Sequence, residues 1–148
     1  MTLNEYETIY IARPDMTDDL TSRLTARILS LVTESGGAVL VTEDWGRRKL
    51  AYPIKKQLRG QYIYVNYVSA AKLVHEIERV LGIEDNLLRY LTVRLGENVD
   101  IESTRQVAEE RRRHRTERMA AQRAEEEAEA RYREAEEIED EVGVEVED

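Results

Sequence analysis

Two stretches of helical periodicity, each set between runs of β-branched and aromatic residues, leave this chain few ways to fold. Leu20, Leu24, Ile28 and Leu31 recur at steps of four, four and three, and Leu73, Val74, Ile77, Val80 and Leu81 line one side of a second stretch. Before the first helix, residues 5–12 read Glu-Tyr-Glu-Thr-Ile-Tyr-Ile-Ala and stop at Arg13-Pro14, the pattern of a strand and a turn. Ala38 to about Lys49 and Gln61 to Val68 supply two strands between the helices. Leu87 to Leu95 supplies a fourth, with Leu91, Val93 and Leu95 on a common face. Thr17 is placed to cap the first helix and Ser69 the second, while Gly36-Gly37 and Gly82 mark their ends.

The order strand, helix, strand, strand, helix, strand predicts an α+β, ferredoxin-like split β-α-β fold (βαββαβ). Its four-stranded antiparallel sheet would carry two helices on one face and leave the other open. Leu24, Ile28, Leu31, Leu73, Ile77, Val80, Leu91 and Val93 are the expected core.

Charge divides the chain where hydropathy does. Residues 1–98 carry 13 basic and 13 acidic side chains, whereas residues 99–148 carry 9 and 18 and account for the whole net charge of −9. We therefore expect a domain over 1–98 and a charged, partly helical or disordered extension over 99–148, Arg-rich at first and strongly acidic from residue 124, with too few large apolar residues to dock. Glu127 with Arg131 and Glu129 with Arg133 have the spacing of supporting helical pairs.

Several chemistries lack their residues. With no cysteine the chain has no disulfide, thiolate metal site or cysteine nucleophile. His75 and His114 lie in different parts, without a cluster of metal-ligand spacing around either. Gly36-Gly37 closes a helix where a phosphate-cradling loop would open one. An acylphosphatase, which shares the predicted fold, needs an Arg in a Gly-containing loop after its first strand; here that loop is Arg13-Pro14-Asp15-Met16. Neither enzymatic activity nor a cofactor is expected. The N-terminus has no basic region followed by an apolar run, and no stretch approaches the ~20 apolar residues that span a bilayer, so a cytoplasmic protein is expected.

The chemistry that remains is concentrated between Trp45 and Gly60, where six basic residues and no acidic ones stand among an indole and a phenol. Cations that displace counterions, next to flat rings on which bases can lie, are what a nucleic-acid surface needs. The wording Trp45-Gly46-Arg47-Arg48, one residue, then Leu50-Ala51-Tyr52-Pro53-Ile54 resembles the signature of the bacterial small-subunit ribosomal protein family numbered six. Tyr6-Glu7, Pro14, Gly37 and Asp85-Asn86-Leu87-Leu88-Arg89 extend the likeness over residues 5 to about 96.

That resemblance implies a ribosome-associated protein that binds the central domain of small-subunit ribosomal RNA as a heterodimer with small ribosomal protein number eighteen. It implies an RNA- and partner-binding surface made by Arg47, Arg48, Lys49, Tyr52, Pro53, Lys55, Lys56 and Arg89. Family members often carry basic residues just before the Tyr-Glu pair, where this chain has Thr2-Leu3-Asn4-Glu5, so an N-terminal phosphate contact is not expected. Some members receive glutamates on an acidic C-terminus; this chain ends Val146-Glu147-Asp148, and that modification is not carried over. The alternative is an RNA-recognition-type module outside the ribosome that reads single-stranded RNA. Arg59-Gly60-Gln61-Tyr62-Ile63-Tyr64-Val65 is similar to its third strand, and Tyr6 and Tyr10 share a face of the first.

Overall fold

Thr17 has extended backbone and its hydroxyl accepts from the Leu20 amide, so the first helix starts at the residue able to cap it. The computed structural model describes residues 2–146, with side chains to Gly143; Glu147 and Asp148 lie outside the described residues. The elements are β1 (Asn4–Ala12), α1 (Asp18–Glu34), β2 (Ala38–Ile54), β3 (Gln57–Ser69), α2 (Ala71–Gly82), β4 (Leu87–Gly96) and α3 (Ile101–Val146). The strands form one antiparallel sheet in the order β2-β3-β1-β4, the predicted ferredoxin-like split β-α-β arrangement.

The strand period separates two faces. Tyr6, Tyr10 and Ala12 of β1, with Ile63, Val65 and Tyr67 of β3, meet Leu24, Ile28 and Val32 of α1 and Leu73, Ile77, Val80 and Leu81 of α2 in the main core. The two fully buried phenols keep partners: Tyr10 Oη lies 2.5 Å from Thr25 Oγ1 and Tyr67 Oη 2.9 Å from Thr8 Oγ1. Burial pushes both up to about 12, against which the hydroxyl bonds pull only partly.

Some side chains fall elsewhere than the periodicity suggests. On α1 the buried stripe is Thr21, Leu24, Ile28 and Val32, leaving Leu20 exposed and Leu31 half-buried. Ser69 ends β3 and the N-cap of α2 is Ala70, which offers no side-chain oxygen. Leu91 and Val93, expected in the core, are 59 % and 39 % exposed. Pairing of Tyr10 with Tyr90 and of Ile9 with Leu91 puts Tyr90 on the helix-covered face and Leu91, Val93 and Leu95 on the opposite one, at a sheet edge.

That opposite face is partly covered. The chain forms two compact units, one ending at Glu109 and one beginning at Glu110, so the first turns of α3 belong with the sheet, where the charge count divides the chain at 98/99. Thr104 and Ala108 are buried, and Ala108 packs with Val41 and Tyr64, beside Ile9, Leu40 and Trp45. The junction is tied down by the N-terminus: Val99 N donates to Leu3 O at 2.8 Å and Asn98 N to Asn4 Oδ1 at 3.0 Å. Leu3, Asn4 and Glu5 thus serve the scaffold, with Glu5 itself buried and accepting from Asn66 Nδ2 at 2.9 Å.

Candidate nucleic-acid interface

The motif of Trp45 to Gly60 is built as a long β2–β3 hairpin whose connection is only Lys55-Lys56. Both lysines have positive φ, 47° and 65°, the left-handed pair that a two-residue hairpin turn requires. A turn usually filled by Asn-Gly is here filled by two cations, which are consequently exposed at the tip.

Two irregularities aim the strand above it. Between Asp44 and Gly46 the register slips; Gly46 takes φ +78°, and its amide is held by Asp44 Oδ1 at 2.8 Å. Between Lys49 and Ile54 it slips again, so Leu50-Ala51-Tyr52-Pro53 bulge away from β3, which accommodates a proline that cannot donate to the ladder. Leu50 anchors the bulge by packing with Ile11 and Leu88, leaving Tyr52 and Pro53 exposed.

The structure separates the expected site residues into two groups. Arg48, Tyr52, Lys55 and Arg89 have partners inside the chain. The Arg48 guanidinium lies 5.7 Å from the Trp45 ring centre and its Nε donates to Trp45 O, while Lys55 Nζ donates to Leu87 O at 2.9 Å and Arg89 donates to the Tyr52 hydroxyl. Arg47, Lys49 and Lys56 are exposed, and among the described residues none forms an ion pair or side-chain hydrogen bond with them.

Arg59 joins this second group. It pairs directly across the hairpin from Lys49, and Arg47 lies two residues from Lys49 on the same side. Like charges directly opposite on a sheet repel, so the strands hold this pair against its own electrostatics. Arg47, Lys56 and Arg59, with Pro14, Gln57 and Leu58, line an open concavity of about 550 Å³ that includes no carboxylate. A shallow cationic hollow without an internal counterion suits a phosphate better than a planar ligand or a metal. Arg59 is absent from the site residues expected from the sequence, although it is one of the six basic residues between Trp45 and Gly60, the signal that could have included it.

Stacking on the sheet is not available. Tyr64 is 2 % exposed, stacked at 5.2 Å against Trp45 and donating to Glu7 Oε2 at 2.9 Å. Tyr6 and Tyr10 face the core rather than solvent, and Tyr62 is half-buried against Ile11, Leu50 and Leu88. An RNA-recognition-type platform needs those rings bare, so the alternative reading fails on geometry. Among the described residues there is also no group of three His, Asp or Glu able to hold a metal ion, and no helix long and apolar enough to cross a membrane.

Fold and site together define a split β-α-β protein that presents an uncompensated cationic hairpin. The chain belongs to the ribosomal protein S6 family of the small ribosomal subunit, whose model matches residues 5–94. It is 46 % identical over 90 residues to small ribosomal subunit protein bS6 of Geobacter sulfurreducens, covering 61 % of this chain and 77 % of that one. The bS6 of Desulfatibacillum aliphaticivorans is 36 % identical over 104 residues, 70 % of this chain but only 56 % of that protein's length. The crystal structure of 30S ribosomal protein S6 from Thermotoga maritima superposes with a TM-score of 0.59 at 25 % identity, covering 72 % of this chain and 98 % of that one.

Proposed function

We propose that the protein is a non-catalytic, cytoplasmic constituent of the small ribosomal subunit that fixes the central domain of small-subunit ribosomal RNA through the β2–β3 hairpin. The observation that carries this is the like-charged pairing of Lys49 and Arg59 beside Arg47 and Lys56, since a sheet that tolerates internal repulsion is relieved when phosphates supply the missing charge. Arg48 and Lys55, held by Trp45 and Leu87, shape the hairpin. Arg89 and Tyr52, bound to one another, with Pro53 beside them, form an exposed polar ledge next to it.

Small ribosomal protein number eighteen is the partner in this reading, and its support is the strip Leu91, Val93 and Leu95. Three exposed large apolar residues along one edge strand are what a protein contact would cover. The test is reconstitution of central-domain RNA with both proteins. The pair should bind together and dissociate steeply with added salt; binding that ignores salt, or that is equally strong for unrelated RNA, would defeat the reading.

A further inference from the structure

The second compact unit begins at Glu110, and α3 runs through it to Val146, with every residue from 120 to 143 exposed. One side of this stretch is apolar. With Ala121 as the first core position of a heptad, the core positions are Ala121, Ala124, Ala128, Arg131, Ala135, Ile138 and Val142, so three heptads are interrupted by one arginine. Tyr132, Ile138 and Val142 on and beside this seam are 68 %, 61 % and 54 % exposed. Three heptads is about the shortest seam that sustains a pair of helices.

The flanks determine what can pair with it. Of the six positions bordering the seam, five are Glu125, Glu127, Glu134, Glu139 and Glu141, the sixth being Tyr132. A second copy laid on the seam in either direction would set glutamate against glutamate, and RNA would meet ten acidic residues and three arginines between 120 and 143. A helix with lysine or arginine at its own flanking positions meets neither obstacle. The alanines also leave room for Leu- or Ile-sized core residues from that partner.

We propose that residues 120–143 dock a basic amphipathic helix of a neighbouring protein in the small ribosomal subunit. Arg131, now 3.8 Å from Glu127, supplies the one polar core position and thereby a preferred register. The seam lies outside residues 5–94, so nothing in the family match assigns it, and the proposal rests on family membership without depending on how the hairpin meets RNA.

The test places a photoreactive benzoylphenylalanine at position 138, on the seam, or at 140, on the opposite side, in chains assembled into small subunits. Irradiation should give several-fold more adduct at 138, mapped by peptide mass spectrometry to a Lys- or Arg-rich helix of another subunit protein. Ala128→Gln with Ala135→Gln, both good helix formers, should reduce that adduct several-fold while circular dichroism shows α3 retained. Changing the five glutamates to Gln should do the same. Adduct mapped to RNA or to a second copy, equal yields at 138 and 140, or no adduct at either position would overturn the proposal.

Discussion

Replacing Arg47, Lys49 and Arg59 together with Gln separates a functional cationic cluster from a merely solvated one, because the two effects expected have opposite signs. If each side chain meets one phosphate, the slope of log affinity against log salt should fall by about 2 to 3, at roughly 0.7 to 0.9 per contact. Over a roughly fourfold rise in salt the native protein should then lose about 20- to 40-fold more affinity than the variant. Folding should move the other way. Lys49 and Arg59 stand directly opposite across β2 and β3, so removing both charges should stabilise the domain by about 0.2 to 1 kcal/mol, raising its melting temperature by a few degrees. Fluorescence anisotropy on central-domain RNA, with the partner protein present, measures the first effect, and a thermal melt by circular dichroism measures the second. An unchanged salt slope would refute the phosphate contacts. A melt lowered by more than about 1 kcal/mol would show that these residues hold the hairpin together instead.

Three further expectations follow from the packing. Tyr10 and Tyr67, raised to about 12 from an ordinary value of 10.0, contribute stability that is full below about pH 10 and lost as pH rises towards 12, of order 2 to 3 kcal/mol each; alkaline melts of Tyr10→Phe should show a shallower loss, and an equally steep one would deny that Tyr10 titrates late. Truncation after residue 98 should cost about 1 to 3 kcal/mol more than truncation after Glu109, because only the first uncovers Val41 and Tyr64 beneath Ala108, and equal urea midpoints would refute that packing. Gly60→Ala should destabilise by about 1 to 3 kcal/mol, since its Cβ would stand 2.3 Å from Ile11 Cγ2 and 3.3 Å from Ala12 O, and a neutral denaturant midpoint would mean the strands part freely there.

The features legible along the chain before it folds are local in origin: two helical periods, four strand-like runs, Thr17 as a cap, and a cationic stretch whose wording resembles one family. Each depends on side chains within one or two turns of each other, so neighbours along the chain suffice to specify it. Which side of a strand faces inward, and which distant residues meet, depends instead on long-range packing. Alternation groups Leu91, Val93 and Leu95 as readily as Tyr90, Thr92 and Arg94, and the choice between them comes from pairing with β1, some eighty residues away, where Tyr10 sets Tyr90 on the helix side. Ala108 carries no hydropathic signal of consequence, yet it is buried where the start of α3 packs on Val41 and Tyr64. Arg59 became part of the cationic surface for the same reason: its opposition to Lys49 is a property of register, which backbone pairing settles after the chain has folded back on itself.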